Sequence, residues 1–303
     1  MTYSSGNTIL DDDYNGFKDD INAIWSTGSG DSGYGQTAIS AVSAGSTVTA
    51  TQWGSLLTPM TSAGAHQNTS LSPIGNPSAG DTIQAYTTLA SNITDITSGR
   101  LDANASGSDS SAATTTTSAW STTATTSKTI TFASANQLRY FFNAGGMIRM
   151  SFSRSGGSST TQNTSWTNLL SATGTIVATG SAASKTIAGT VYTGTSKIGG
   201  SGTEDTLNTA YGAVTNYTGT PTTILKKFTT TYLYTSNFIE IKASVSGSVI
   251  TFAVTLDDND STIGTDQVDG TLTMTTVIRP PSTANLTNSW GTVSQNSASW
   301  SLT

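Results

Sequence analysis

Residues 238–256 read FIEIKASVSGSVITFAVTL, and this stretch decides the fold class. Each half alternates apolar and polar residues. The apolar members are Ile239, Ile241, Ala243 and Val245 in the first half, and Ile250, Phe252, Val254 and Leu256 in the second. Successive side chains of a strand point to opposite faces, so a period of two predicts two half-buried strands. Gly247 between the halves predicts a hairpin turn. The stretch therefore predicts antiparallel β-structure.

Four further segments extend this pattern. Residues 147–154 and 270–278 alternate in the same way, and residues 128–132 and 138–143 are shorter strand candidates. Gly145 and Gly146 predict the turn into the strand that follows, and residues 166–170 after Thr164 and Ser165 predict a short helix. Several short strands separated by glycine turns are typical of an antiparallel sandwich.

The first hundred residues have helical periodicity instead. Between Leu10 and Trp25, the apolar residues recur every three or four positions, at Tyr14, Phe17, Ile21 and Ile24. Asp11, Asp12 and Asp13 stand at the start, where carboxylates complement the helix dipole. The segment predicts an amphipathic helix.

Two more helices are predicted after a glycine-rich loop at residues 26–35. One begins near Thr49 or Thr51 and places Trp53, Leu56, Leu57 and Met60 on one face, with a kink or an early end at Pro59. Another runs over residues 81–100, where Ile83, Tyr86, Leu89, Ile93 and Ile96 form a seam resembling a short coiled coil. Short helices need partners, which are each other, the β-region or other copies of the chain.

The predicted fold class is α+β and mainly β, with short N-terminal helices followed by an antiparallel β-sandwich-like domain. Residues 1–100 are predicted to be a helical docking or oligomerisation region, and residues 128–303 the β-sandwich-like domain. Residues 101–127 between them are predicted to be separate, because after Leu101 they are rich in Ser, Thr and Ala and contain Trp120 as the one large apolar side chain. This composition predicts a linker that becomes an extended strand near Trp120.

The composition excludes several classes of function. Just over a third of the residues are Ser or Thr and 10% are charged, while six Trp, ten Tyr and eight Phe supply more aromatic surface than disordered segments have. Six prolines are few for an O-glycosylated stalk. A net charge of −6 opposes binding to a nucleic-acid backbone. No cysteine is present, so no disulfide or thiolate site forms.

The sequence also predicts no membrane insertion. Its first residues lack the basic and apolar regions of a secretory signal, and its apolar runs are shorter than the roughly 20 residues that cross a bilayer. We therefore expect synthesis in a host cytoplasm.

Candidate catalytic residues are few. His66 is the single histidine, without a nucleophile elbow around it, and the sequence predicts that it lies in a loop. Glycoside hydrolysis needs paired carboxylates. Most of the acidic residues form three groups, at residues 11–20, at Glu204 and Asp205, and at residues 257–269. Helix-dipole compensation explains the first group. We expect no catalytic residue, no cofactor and no enzyme activity.

Two loops admit a second, functional interpretation. The acidic segment formed by Asp257, Asp258, Asn259, Asp260, Asp266 and Asp269 offers oxygen ligands for calcium, although the spacing of a helical calcium loop is missing. Asp and Asn are also common in hairpin loops, so no metal ligand is assigned and calcium stays open. Residues 197–202 read KIGGSG, which lacks the ending of a phosphate loop and predicts a flexible turn.

Arginines flank the aromatic residues of the 139–154 region. They are Arg139, Arg149 and Arg154, beside Tyr140, Phe141, Phe142 and Phe152. Arginine stacked on aromatic rings binds sugars or bases. Strand spacing favours aromatic residues in the core and arginines that face water.

Five segments resemble a known group of proteins. They are ILDDDYNGFKDDINAIWSTGSGDSGYGQ (9–36), TATQWGSLL (49–57), FFNAGGMIRMSFSRSGGSSTTQNTSWTNLLSATGTI (141–176), VITFAVTLDD (249–258) and VDGTLTMTTVIRPP (268–281). Together they resemble virion structural proteins of tailed phages that infect cyanobacteria. The third segment is the most specific, because a glycine turn, an arginine-bearing strand and a Trp-centred turn follow in fixed order.

The resemblance implies a structural component of the virion. We expect a tail-fibre or baseplate-associated protein that takes part in host attachment, assembled with other virion proteins as a homotrimer and in contact with host surface polysaccharide. A head decoration or capsid fibre protein is the structural alternative, and a polysaccharide depolymerase is the enzymatic one.

Overall fold

The computed structural model describes residues 10–78, 86–194, 197–207, 212–259 and 267–303. The α-helices within these residues are α1 (Asp11–Trp25), α2 (Ala50–Gln67), α3 (Tyr86–Ser98), α4 (Ala135–Asn143) and α5 (Thr161–Thr173), with a short 3₁₀ turn at Val214–Asn216. The strands are β1 (Ser110–Thr116), β2 (Thr123–Thr131), β3 (Met147–Ser155), β4 (Thr175–Ala178), β5 (Lys185–Ile187), β6 (Thr190–Tyr192), β7 (Lys197–Ile198), β8 (Thr206–Leu207), β9 (Thr222–Phe228), β10 (Phe238–Ser246), β11 (Val249–Asp257), β12 (Thr271–Arg279), β13 (Ser294–Gln295) and β14 (Ser301–Leu302).

Two antiparallel sheets dominate the structure. One has the order β1-β12-β3-β4-β7, and the other has the order β13-β2-β11-β10-β9-β8 with β14 also paired to β2. Strands β5 and β6 form a separate small ribbon. The predicted fold class is confirmed: the chain is α+β and mainly β, with N-terminal helices followed by sandwich-like sheets.

The hairpin predicted from residues 238–256 is present. Strands β10 and β11 pair from Phe238 with Asp257 to Ser246 with Val249, and Gly247 turns the chain at a φ of +59°. Every second side chain of β11 is buried, from Ile250 to Leu256. The period of two therefore located both the turn and the buried face.

The N-terminal helices pack on one another and share one hydrophobic cluster with the sheets. Phe17 on α1 lies 6.2 Å from Trp53 on α2 and 4.8 Å from Tyr86 on α3, measured between ring centroids. The predicted seam on α3 buries Leu89, Ile93 and Ile96 within the chain. The start of that predicted helix, residues 81–85, lies outside the described residues.

Pro59 does not end α2. The helix continues to Gln67 and stops at Asn68, whose φ of +61° is left-handed. Its second half is fixed by tertiary contacts, because the Gln67 side chain donates to Tyr34 Oη and to the Ile96 carbonyl, each over 2.9 Å. These contacts offset the backbone hydrogen bond that a proline removes. The predicted early end is wrong.

Residues 138–143, predicted as a strand, form helix α4 instead. Ser134 caps it, with the Gln137 N–H donating to Ser134 Oγ over 3.2 Å. Phe141 and Phe142 are buried, and both rings contact Phe132 in one aromatic cluster. The Ser134 cap and the spacing of Leu138, Phe141 and Phe142 by three and four positions are typical of a helix. The strand prediction followed the β-propensity of the aromatic residues.

Residues 101–127, which were predicted to be a linker, contain paired β-strands. Within residues 101–127 the whole of β1 pairs with β12, and the first five residues of β2 pair with β11. Ala124 and Thr126 are buried on alternate positions of β2. Small and hydroxyl-bearing side chains build this strand, so it has little of the apolar contrast by which a strand is recognised.

Helix α5 is longer than the predicted turn at residues 166–170. It begins after Thr160, whose hydroxyl accepts from the Asn163 N–H over 3.2 Å. Trp166 on α5 meets Trp120 edge to face, with the ring centroids 4.9 Å apart. The helix therefore lies across the β-region and supplies one wall of the cleft described below.

Candidate functional site

His66 occupies the last turn of α2 and is not in a loop as predicted. The side chain is 1% exposed, and Nε2 lies 3.1 Å from the carbonyl oxygen of Ala144. Burial lowers the pKa of His66 to about 4, so the ring is neutral at neutral pH. The hydrogen bond and the edge contact with Tyr34 describe a structural histidine.

Three of the five acidic residues of α1 lie in its first turn, as predicted. Asp11, Asp12 and Asp13 occupy the N-terminal turn, and Asp13 is buried. Carboxylates at this position complement the partial positive charge of the free N–H groups.

The acidic segment 257–269 is divided by its contacts. Asp258 is 6% exposed and accepts hydrogen bonds from the side-chain amides of Gln162 and Asn237. Asp269 accepts from Ser158, Asn163 and Arg154, and these partners lower its pKa, the Ser158 backbone N–H foremost. Asp260 and Asp266 lie outside the described residues. No cluster of three or more His or carboxylate side chains suited to a metal occurs in the part of the chain that is described.

The phenylalanines of the 139–154 region are core, as predicted, whereas Tyr140 is half-buried beneath the Arg139 guanidinium. The arginines do not simply face water. Phe141, Phe142 and Phe152 are buried. Arg154 is 8% exposed, and its guanidinium donates to Asp269, Thr167 and the Asn163 carbonyl. The prediction is wrong for Arg154, because the carboxylate and the helix α5 acceptors compensate for its lost hydration.

Arg139 and Arg149 also have structural partners. Arg139 donates to the carbonyls of Thr27 and Ser32 over 2.5 and 2.6 Å. Arg149 shares the carboxylate of Asp109 with Arg279, and the Arg279 hydrogen bond is the chief cause of a lowered pKa at Asp109. Arg139 therefore holds the loop after α1 against α4, and Arg149 holds the segment before β1 against β3.

A cleft of about 460 Å³ lies between α5, the loop after β7 and the end of β9. Helix α5 contributes Asn168, Leu169, Ser171 and Ala172; the loop contributes Ser201, Gly202, Thr203 and Asp205; β9 and the residues after it contribute Lys227, Phe228, Thr229, Thr230 and Thr231. Most of these side chains end in a hydroxyl or an amide. The glycine-rich segment 197–202, predicted to be only a flexible turn, therefore forms part of a cleft wall.

The charged groups at the cleft are held by internal contacts. Lys227 is 4% exposed, and its ammonium donates to the Thr203 carbonyl over 3.0 Å. Glu204 accepts from Lys197 and lies 3.8 Å from Lys227 Nζ. Asp205 is exposed, and its Oδ2 accepts the Phe228 N–H over 2.8 Å. Among the described lining residues Asp205 is the one carboxylate, so the cleft itself contains no carboxylate pair.

The loop between β9 and β10 forms the rim of the cleft. Its base is closed by the Thr229 N–H, which donates to the Asn237 carbonyl over 2.9 Å, and Tyr234 is buried beneath it. At the tip, Tyr232 is 81% exposed and Leu233 has a φ of +75°. A left-handed leucine stores backbone strain, which a folded loop retains only when its surroundings fix it.

These groups suit a neutral, hydroxyl-bearing ligand. Hydroxyl and amide side chains both donate and accept hydrogen bonds, as sugar hydroxyls do. An exposed tyrosine ring offers an apolar face with a polar tip to a sugar's C–H surface. No single sequence motif marks the cleft, because its residues come from three segments between Asn168 and Thr231.

No family model, curated protein or solved structure matches this chain. Within the described residues, no helix is long and apolar enough to cross a membrane.

Proposed function

We propose that this chain is a non-enzymatic structural component of a tailed-phage virion. We place it on a tail fibre or baseplate, where its cleft holds a neutral sugar of the host surface. The observation that carries the attachment role is the cleft, whose wall is built mainly from hydroxyl and amide side chains. Tyr232, the residue after the lining residue Thr231, is exposed. The placement in a phage particle is supported by the resemblance of residues 9–36 and 141–176 to cyanophage virion proteins.

The charges around the cleft support a neutral ligand over an anionic one. Lys227 is the lining residue with a positive charge, and its ammonium is engaged with Thr203 and near Glu204. A phosphate or uronic acid would need a cation available to pair with it. A sugar with uncharged hydroxyls makes no such demand.

The arrangement of acids supports binding without hydrolysis. Glycosidases place two carboxylates about 5–10 Å apart across the bond that they cleave. Glu204 is committed to Lys197, and Asp205 is the carboxylate at the cleft surface. Attachment to a glycan needs neither an acid nor a nucleophile.

Nuclear magnetic resonance tests the ligand class. Isotope-labelled protein would be titrated with glucose, galactose, mannose, rhamnose, fucose and N-acetylglucosamine, each at millimolar concentration. We expect at least one sugar to shift the amide signals of Thr203 and Asp205 in the loop after β7 and of Thr230 after β9, all of which line the cleft. Shifts confined to other surfaces, or no shifts with any sugar, would refute sugar binding in the cleft.

Tyr232→Ala should weaken binding of the responsive sugar by about tenfold, equivalent to about 1.4 kcal/mol. Val191→Ala is the matched control, because Val191 is also exposed, at 61%, and adjoins no lining residue, whereas Tyr232 directly follows the lining residue Thr231. Equal loss in both variants would argue against a role for the rim. Release of reducing ends from host envelope material would instead support a depolymerase.

Immunogold labelling of purified particles tests the location. Label at the tail tip or baseplate, in tens of copies or fewer, is the expected result, and light scattering should give three times the 31.1 kDa chain mass. Label distributed over the head in hundreds of copies would overturn the tail assignment in favour of head decoration.

A further inference from the structure

Three buried polar side chains meet at the base of the rim loop. Asp258 follows β11, Gln162 lies in the first turn of α5, and Asn237 precedes β10. Their exposures are 6%, 4% and 1%. Each amide nitrogen donates to a different oxygen of the Asp258 carboxylate. The three residues therefore form one contact between three separate elements.

The two amide oxygens at this contact have no donor. Gln162 Oε1 and Asn237 Oδ1 are both fully buried and accept no hydrogen bond from any described residue. Buried carbonyl oxygens are ordinarily paired, so two such atoms beside one carboxylate require an explanation. An amide oxygen and nitrogen share one carbon, and a half-turn of the side-chain amide exchanges their positions. After that rotation, both oxygens would face the carboxylate.

We propose that Asp258, Gln162 and Asn237 form a calcium site. Carboxylate and amide oxygens are the ligands that calcium prefers, and calcium accepts irregular geometry. Magnesium requires near-ideal octahedral geometry and keeps several waters, which does not suit three side chains that are each more than nine-tenths buried. A cation would engage both orphaned oxygens and the carboxylate together.

The ligand charge sets the expected affinity. One carboxylate and two neutral amides place the site among weak calcium modules, with a dissociation constant of roughly 10⁻⁴ to 10⁻³ M. The sequence-based calcium hypothesis for residues 257–269 contained Asp258 but neither amide, because Gln162 and Asn237 lie 96 and 21 positions away.

Calcium at this site would join the two sides of the cleft. Gln162 belongs to α5, which forms one wall, and Asn237 closes the loop that forms the rim. A second link already runs beside it, between the hydroxyls of Ser165 and Thr229 at 2.8 Å. The ion would fix the rim before any ligand arrives, and the site does not depend on whether the cleft binds sugar.

Calorimetry and thermal unfolding test the proposal on full-length protein freed of metal by a chelator. We expect calcium chloride to release or absorb heat at one site per chain and to raise the melting temperature, since a ligand that binds only the folded state stabilises it. Sodium chloride at the same ionic strength should do neither. Absence of a calcium effect in the wild-type protein would overturn the site and favour ordinary water at the orphaned oxygens.

Asp258→Asn removes the charge while it keeps the shape, and it should weaken calcium binding by about tenfold or more. Asp269→Asn is the matched control from the same acidic segment, because Asp269 is held by Arg154, Ser158 and Asn163. It should retain the wild-type calcium response. A calcium response in Asp258→Asn equal to that of the wild type would place the ion elsewhere and refute the assignment.

Gln162→Glu keeps the test decisive if Asp258→Asn does not fold. A second carboxylate beside Asp258 should lower the melting temperature in chelator, because two like charges repel, and calcium should then raise it by more than in the wild type. A Gln162→Glu protein that calcium does not rescue would contradict the site.

Discussion

The side chain of Gln36 is joined to Thr287 by three hydrogen bonds across 251 positions of sequence. Gln36 Nε2 donates to the Thr287 carbonyl over 2.9 Å, and Gln36 Oε1 accepts from the Thr287 N–H and hydroxyl over 2.8 and 2.6 Å. The loop after α1 is thereby fastened to the C-terminal segment. One hydrophobic cluster also runs from Tyr14 on α1 to Trp290 in that segment.

Gln36→Ala should therefore destabilise the helices and the sheets together. Loss of three bonds from a side chain that is 7% exposed should reduce the free energy of unfolding by about 2–3 kcal/mol. Chemical denaturation followed by fluorescence and by circular dichroism measures the change. Gln52→Ala, which removes part of a surface capping box, should cost less than about 1 kcal/mol. Separate transitions for helix and sheet signals would contradict a shared unit.

Lys185 should make stability depend on pH in the alkaline range. Burial lowers its pKa to about 8 from an ordinary 10.5, and its ammonium donates to the Phe142 carbonyl. Between these values the unfolded chain binds the proton more tightly, so the free energy of unfolding rises with pH. The rise should total about 3 kcal/mol, at roughly 1.4 kcal/mol per pKa unit.

Lys185→Met removes this titration, so its unfolding free energy should be flatter across the same interval in urea denaturation. Lys242→Met is the control, since the Lys242 side chain is 44% exposed and pairs with Glu240. A wild-type slope retained in Lys185→Met would show that another group titrates there.

His66 should contribute to acid unfolding. Burial lowers its pKa from 6.5 to about 4, so the unfolded chain takes up the proton first as pH falls. Stability is fully present above 6.5 and is lost as the pH drops toward 4, by up to about 3 kcal/mol. Urea denaturation of His66→Gln should show a shallower loss in this window. An unchanged slope would assign the acid sensitivity to carboxylates alone.

Substitutions at two glycines distinguish the cost of backbone strain from the cost of a steric clash. Gly145 and Gly247 both have a positive φ, at +93° and +59°. A Cβ at Gly145 would lie 2.5 Å from the Cβ of Ala103, whereas a Cβ at Gly247 would meet nothing within 4 Å. Gly247→Ala should cost about 1–2 kcal/mol from the left-handed backbone alone.

Gly145→Ala should cost a further 1–3 kcal/mol or so, because the new methyl must displace Ala103. Thermal unfolding of both variants measures the difference. Equal melting temperatures would mean that the backbone near Ala103 moves aside freely.

The sequence was informative where the pattern was local and repetitive. Alternation from Ile239 to Leu256 located β10, β11 and their turn, and the stripe from Tyr14 to Ile24 located α1. These signals depend only on neighbours along the chain. Residues 138–143 misled because aromatic side chains favour strands in general, while the Ser134 cap and packing against Phe132 select a helix here.

The candidate sites depend on contacts that no local pattern contains. Thr114 is buried in β1 because β12 arrives from more than 150 positions later, and its hydroxyl side chain gave no sign of a buried strand. Likewise Gln162 contacts Asp258 only because the fold packs α5 against the sheets. Residue type alone made Asp258 one of several candidate oxygen ligands, and the folded chain places the two amides beside it.

The distribution of basic side chains has a consequence for digestion by trypsin. The chain has twelve lysines and arginines, and all but Arg100 lie within helices or strands. Trypsin cleaves after such residues only when the backbone opens locally, and hydrogen-bonded elements open rarely. Arg100 lies just beyond α3 and is tied to Asp31. Digestion of the folded protein should therefore begin at the bond between Arg100 and Leu101 and proceed slowly elsewhere. Because the chain has few lysines and arginines, it offers trypsin few sites, and most of these lie in regular structure.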